Sequence, residues 1–356
     1  MKILFLTLGD ETVASSRTRV FQYLPHLKKY NIRYKVLKYT KQNLTGKKLS
    51  SYHAFIRLKL LLFCLFYDIV FIQKVLLPKN YLNIFKFLKK KIVFDFDDAI
   101  YTTHHSVENS TKHSIKKKIK DRFQETVSIA DLIILENEYT KKYVEKFNAN
   151  ILMITGPIDT VRYFPRAQRN KENIVIGWIG SPPNTMYLEP LYSVFERLSK
   201  EYPNVCFKTI GAAHIELHNV NIKQVDWSLD TEVRELQEFD IGIMPLFDDE
   251  WSRGKGGYKL LQYMAIGIPS VASPVGINVE MIRDDINGYL AEEKEDWYEK
   301  LSLLINNAEK RERLGLNARK IAEDKYSFFI AIKKLIKVLA DLNKNWTAPL
   351  RLDRWG

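Results

Sequence analysis

Two cysteines in 356 residues, Cys64 and Cys206, are too few and too far apart for a disulfide framework. Set in apolar segments, they read as buried free thiols of a reducing compartment. No apolar run approaches the roughly 20 residues that span a bilayer. The longest, Leu60 to Tyr67, is far shorter, so no transmembrane anchor is expected. The opening Met1-Lys-Ile-Leu-Phe-Leu-Thr-Leu8 lacks a cleavage-site pattern and reads as a strand, not as a signal peptide. Acidic residues are in deficit: 42 Asp and Glu stand against 55 Lys and Arg, a formal charge of +13 and a pI near 9.4. That balance favours acidic partners, whether nucleic acid, anionic lipid or phosphorylated ligands. No nucleic-acid-binding motif accompanies the charge, which makes the first of these the weakest, and no nucleic-acid partner is expected. No short-period repeat is visible. The expected location is cytoplasmic.

What is present is the material of a two-domain globular protein. Hydrophobic residues make up 46% of the chain, and this length suits two domains of roughly 150–200 residues. Short β-rich apolar runs alternate with helical patterns, and the alternation restarts at Ile174-Val-Ile-Gly-Trp-Ile-Gly180. This predicts two doubly wound α/β units. Gly156-Pro-Ile-Asp-Thr-Val-Arg-Tyr-Phe-Pro165 punctuates the change. The expected domains are residues 1–165 and 166–325, followed by a helix over 326–342 and a polar tail over 343–356.

In the first half, Lys2 to Leu8 predicts a strand, Gly9 to Ser16 a polar loop, and a helix begins near Arg17 with Ser15 or Ser16 as its N-cap. Thr40 to Tyr52 reads as a polar, lysine-rich loop, Ala54 to Tyr67 as a largely buried helix and Asn80 to Lys90 as another. Ile92-Val-Phe-Asp-Phe-Asp-Asp-Ala-Ile-Tyr101 is a strand running into carboxylates. Asp95, Asp97 and Asp98 stand at its carboxyl end, where open sheets place their sites. Carboxylates so close raise one another's pKa, and they can orient a hydroxyl, act as a general base or hold a cation, or else serve structurally by capping and pairing with a nearby Arg or Lys. No histidine or further acid has metal-ligand spacing, so no metal is expected. Lys89 to Lys91 and the run Thr111 to Arg122 form either solvated faces or a patch for anionic lipid.

In the second half, Ser181-Pro-Pro-Asn-Thr185 reads as a loop and Leu188 to Lys200 as a helix. The densest signal is Arg253-Gly-Lys-Gly-Gly-Tyr-Lys-Leu-Leu-Gln-Tyr-Met-Ala-Ile-Gly-Ile-Pro-Ser-Val-Ala-Ser273. Gly254, Gly256 and Gly257 let the backbone approach a ligand, and Arg253, Lys255 and Lys259 surround that turn with positive charge. A glycine turn feeding a helix presents free N–H groups to phosphate oxygens. Gly267 is placed to end the helix, and a short buried strand follows. The alternative is a structural turn with solvated lysines.

Four ordered pieces, Asp240-Ile-Gly-Ile-Met-Pro-Leu246, Lys259-Leu-Leu-Gln-Tyr-Met-Ala265, Gly267-Ile-Pro-Ser-Val-Ala-Ser273 and Asn287-Gly-Tyr-Leu290, resemble the carboxy-terminal domain of family-4 glycosyltransferases. The resemblance implies the GT-B architecture, two Rossmann-like domains facing across a cleft, with the last helix crossing back to the first domain. It implies retaining transfer of a sugar from a UDP-, GDP- or dTDP-sugar to a hydroxyl of a glycan or lipid-linked glycan. The setting it implies is surface-polysaccharide synthesis, such as lipopolysaccharide or capsule, at the inner face of the plasma membrane. It needs no further cofactor. By resemblance, Gly9, Arg17, Arg19 and His104 fall on the acceptor side, and Asp97 and Asp98 become catalytic candidates. The alternative for Arg17 and Arg19 is ordinary helix-surface charge. Gly180, Ser181, Asp249, Glu250, Arg253, Gly254, Lys255, Gly256, Gly257, Lys259 and Gln262 fall on the donor side. Here the chain departs from the family. Gln262 and Gly254 replace the two glutamates of the Glu-x7-Glu pattern, and Gly180 and Ser181 stand where an arginine and a lysine are usual. A non-catalytic GT-B protein that binds glycan or nucleotide, or supports a partner, is the second reading.

Overall fold

The computed structural model describes residues 1–39, 49–103, 112–166, 173–343 and 346. The chain divides into two compact units, Met1–Pro157 with Gly254–Gly256 and Phe329–Gly356, and Ile158–Arg253 with Gly257–Phe328.

The first unit holds a six-stranded parallel sheet of β1 (Lys2–Thr7), β2 (Arg33–Lys38), β3 (Ile69–Gln73), β4 (Lys91–Asp95), β5 (Leu132–Leu135) and β6 (Ile151–Met153). Its order is β2-β1-β3-β4-β5-β6. The central strands are apolar through their middles because helices cover both faces of a parallel sheet; β3 and β5 are buried at every position. The order reverses between β1 and β3, so the loops leaving those two strands flank the crevice.

The second unit repeats the plan with β7 (Ile174–Ile179), β8 (Val205–Ile210), β9 (Ile222–Val225), β10 (Ile241–Met244), β11 (Ser270–Ala272) and β12 (Gly288–Leu290), in the order β12-β11-β10-β7-β8-β9. Its reversal lies between β7 and β10. Gly177 and Gly242 face each other in register across these two strands. A Cβ on Gly177 would run into the ring of Phe239, and one on Gly242 into the ring of Tyr263. Both aromatics are fully buried, so the glycines are there to let them lie against the sheet. Gly177→Ala is expected to cost about 1–3 kcal/mol through overpacking. Urea unfolding measures this; a loss within 0.5 kcal/mol, roughly the spread of surface substitutions, would sink the packing account.

Several elements depart from the sequence expectation. The first helix is Ala14–Arg19, with Val13 as N-cap and no side-chain cap. Ser16 does not cap because its hydroxyl accepts from Gly9 N–H at 3.1 Å and donates to Gln73 Oε1 at 3.0 Å. The helix expected over 54–67 is Leu49–Cys64. It starts inside the stretch read as loop, where Tyr52 Oη donates to the Lys38 carbonyl and ties it to β2, and it unwinds after Cys64 into tighter turns closed by Phe66 N–H to Phe63 O and Tyr67 N–H to Cys64 O. Residues 182–191, expected to be loop and helix, form the 3₁₀ helix Pro182–Leu191, and the α-helix begins only at Tyr192. Pro182 and Pro183 fit a helix start but Pro190 cannot donate an α-helical hydrogen bond. Gly267 ends the helix Tyr258–Ala265 as expected. Its φ is +70°, Gly267 N–H donates to Met264 O and Ile268 N–H to Tyr263 O; these paired bonds close a Schellman cap.

Candidate functional site

Sequence-predicted site residues collect at the carboxyl ends of the strands in each unit. In the first unit, β1 leads to Gly9, β3 to Lys74, β4 to Asp97 and Asp98, and β5 to Glu136. Gly9 N–H is held by Ser16, and Arg17 Nη1 donates to the carbonyls of Glu11 (3.1 Å) and Thr12 (3.4 Å). His104 lies outside the described residues.

Arg19 is not helix-surface charge. It is 2% exposed. Its Nε donates to Asp95 Oδ1 at 3.1 Å, its Nη2 to Asp95 Oδ2 at 2.6 Å, and its Nη1 to Glu136 Oε1 at 2.8 Å and Ile154 O at 2.6 Å. The planar guanidinium fork suits this bidentate grip. Burial works against its charge, but Asp95 and Glu136 outweigh that and raise its pKa. Lys74 forms a second centre: its Nζ lies 2.7 Å from Asp97 Oδ1 and also pairs with Asp98. Burial again opposes the charge and the two aspartates more than restore it.

Four carboxylates therefore share two cations, and the imbalance disfavours the charged form of three of them. Asp95 and Asp97 are raised above the ordinary carboxylate value, by burial first, with Arg19 and Lys74 opposing. Glu136 is pushed up to about 8, by burial, partly offset by Arg19 and reinforced by Asp97, Asp98 and Asp95. It holds a proton near neutral pH, which is a property that clusters at functional sites.

The glycine turn packs onto this cluster. Gly254–Gly256 belong to the first unit. Asn137 Nδ2 donates to the Lys255 carbonyl at 2.9 Å. A side chain at Gly256 would collide with the Glu136 carboxylate, and one at Gly254 with Ala99. Close approach thus explains those two glycines. Glu136 and Asn137 were missed as site residues, although a carboxylate just past a buried strand carries the same signal as Asp95.

In the second unit, Gly180 and Ser181 follow β7, and Ser181 Oγ accepts from Asn184 Nδ2 at 2.8 Å. A side chain at Gly180 would strike the Trp178 indole, over which Lys259 Nζ sits at 5.5 Å. After β10, Asp249 Oδ1 accepts from Ser252 N–H at 2.7 Å, and Glu250 opens the short helix Glu250–Arg253. Arg253 is engaged by Asp248, with Nε–Oδ1 at 2.6 Å and Nη2–Oδ2 at 2.8 Å. That pairing lowers the Asp248 pKa. Gly257 takes φ +70° at the N-cap of Tyr258–Ala265, which no side chain caps. Gln262 is buried, with its Nε2 3.5 Å from Tyr163 Oη. Tyr163 in turn donates to Glu232, whose other oxygen accepts from Trp227 Nε1 at 2.5 Å. A carboxylate two steps from Gln262 is one that sequence spacing could not reveal, because Glu232 is 30 positions away in the chain.

Residues 162–321 match the family model of glycosyl transferases group 1. That match takes in every donor-side candidate, Gly180 through Gln262. Spore coat protein SA of Bacillus subtilis (strain 168) is 35% identical over 78 residues, which is 21% of this chain and 21% of that protein. HepE of Anabaena, solved in complex with UDP-glucose, superposes with a TM-score of 0.71 over 96% of this chain and 100% of its own, at 14% identity. Sucrose-phosphate synthase of Thermosynechococcus elongatus superposes at 0.74 over 97% and 100%, at 10% identity. The fold is GT-B. At these identities the superpositions speak to fold, and the group 1 match to the domain that spans 162–321.

Proposed function

We propose that the chain is a nucleotide-sugar-dependent glycosyltransferase that moves a sugar, with retention, onto a hydroxyl of a glycan or lipid-linked glycan in surface-polysaccharide synthesis. The observation that carries the reading is the group 1 match over residues 162–321. It gains support from the complexes of HepE with UDP and UDP-glucose, which make a uridine donor the first to try. In this reading Lys255, Lys259 and Arg253, with the N–H groups opening Tyr258–Ala265, stabilise charge growing on the leaving diphosphate. Gly180, Ser181, Gly254, Gly256 and Gly257 admit the donor, while Asp249, Glu250 and Gln262 orient its sugar and ribose. Asp97 and Asp98 orient the acceptor hydroxyl, and Gly9, Arg17 and His104 line the acceptor side. Arg19 acts as a positioning residue through Asp95 and Glu136. The donor diphosphate needs no metal where lysines carry its charge. A lipid-linked acceptor brings the enzyme to the cytoplasmic face of a membrane.

The test is thermal unfolding with UDP and its sugar conjugates, and with the GDP and dTDP series. A ligand at about 100 times its dissociation constant adds ~2.7 kcal/mol, which for domains of this size is a rise of about 5–10 °C. Lys255→Ala is expected to abolish the rise without lowering the unliganded midpoint. No rise with any nucleotide would overturn the donor site. Gly254 and Gln262, in place of two glutamates, favour the second reading, a GT-B protein that binds without turnover. A rise with UDP-glucose but no release of UDP, with or without acceptor glycans, would establish it.

A further inference from the structure

The helix Leu49–Cys64 is apolar on both sides. Ile56, Leu60 and Cys64 are buried in the core of the first unit. On the other side Phe55, Leu58, Leu62 and, just past the helix, Leu65 are each more than half exposed, and Phe66 is 67% exposed. A surface helix of a globular domain ordinarily turns polar residues outward at this spacing. Phe87, the last residue of the helix Lys79–Phe87, is 85% exposed. Single exposed apolar residues need no explanation, but a stripe along one helix does.

Lysines border the stripe. Lys59 Nζ sits 4.3 Å over the Phe55 ring. Lys90 Nζ donates to the Leu65 carbonyl at 3.1 Å, so the run Lys89–Lys91 lies at the end of the stripe. The wider charge agrees. Residues 1–157 carry 28 Lys and Arg against 13 Asp and Glu, a formal +15, whereas residues 158–356 carry 27 against 29. The entire positive excess of the protein is thus in the half that bears the stripe.

We propose that this face is a docking surface for an anionic lipid bilayer. The apolar side chains enter the boundary between headgroups and acyl chains, and the bordering lysines meet lipid phosphates. Among the described residues no helix is long and apolar enough to cross a membrane, so the attachment is peripheral. A second copy of the chain is the poorer occupant, because pairing this face with itself would set one cationic half against another. The inference deepens the reading of a lipid-linked acceptor given above, and it depends on no residue of the donor site.

The experiment is flotation of the full-length protein with phosphatidylcholine vesicles, with and without phosphatidylglycerol, at low and high salt. The wild type is expected to float with the anionic vesicles only, and less at high salt. Phe66→Ser combined with Phe87→Ser removes two exposed rings. It is expected to weaken vesicle binding by at least about tenfold with the unfolding midpoint and the UDP-induced rise unchanged. Failure of the wild type to float overturns the proposal, as does undiminished floating of the double variant, which would assign binding to charge alone. Light scattering that shows a dimer dissolved by the same variant would assign the face to a second copy and overturn it too. The UDP response is read on the same samples, so loss of the membrane inference and loss of the donor site are told apart.

Discussion

Replacing Arg19 by alanine is expected to lower the unfolding midpoint by about 6–20 °C. The basis is the burial of its partners. Arg19 is 2% exposed, and both oxygens of Asp95 and one of Glu136 accept from it. Removing one member of a buried ion cluster leaves the others uncompensated and costs about 3–5 kcal/mol. For a unit of this size each kcal/mol moves the midpoint by about 2–4 °C. Part of the cost is relieved by protonation, since Asp95 is raised already by burial and Glu136 is raised to about 8. The loss should therefore shrink as pH falls. Arg19→Met, which fills the space without the charge, separates packing from electrostatics. A circular-dichroism melt of Arg19→Ala within 2 °C of wild type, or a loss that does not vary with pH, would contradict this account.

Glu136→Gln is expected to flatten the dependence of stability on pH between about 5 and 8. Glu136 titrates near 8 in the folded protein against an ordinary value of 4.5. The folded chain holds this proton over a range in which the unfolded chain has released it, so the unfolded state binds fewer protons and stability falls as pH rises. The contribution is complete below the ordinary carboxylate range and is lost as pH passes through the folded value. One pKa unit is worth about 1.4 kcal/mol, and ionisation in the fold has begun to level the slope by pH 8, so between pH 6 and pH 8 the wild type should lose roughly 2 kcal/mol that the glutamine variant keeps, or about 4–8 °C. Asp95 and Asp97 titrate in both proteins, and the difference between the two profiles isolates Glu136. Parallel profiles would show that the carboxyl is ionised in the fold. Because the Gly256 backbone packs against this carboxylate, the same titration is expected to alter nucleotide binding if the glycine turn holds phosphate.

The fold was legible in the sequence because its signals are local and periodic. Parallel strands covered on both faces are close to apolar throughout, and Leu132–Leu135 and the first four residues of Ile69–Gln73 show this. Gly267 announced a helix end because few other residues adopt a positive φ at that point. The strands also told where the carboxylates after β4 would stand, since open sheets present the carboxyl ends of their strands to the crevice. Boundaries were less legible: Ser16 looked like a cap until its hydroxyl was claimed by Gly9 and by Gln73, 57 positions away.

What only the tertiary structure decided is which charges meet. Arg19, Asp95 and Glu136 are separated by 76 and 117 positions from the arginine, and nothing periodic links them. Whether an arginine on a helix is solvated or locked between two buried acids depends on which strand end the helix lands beside. The proton on Glu136 depends on the same placement, because burial and neighbouring charge set a pKa, and both are properties of packing. The chain alone determined two doubly wound units and a glycine turn built for close approach. The structure determined that the turn rests on a buried acid whose pKa is raised by its surroundings, and that one helix keeps an apolar face toward solvent.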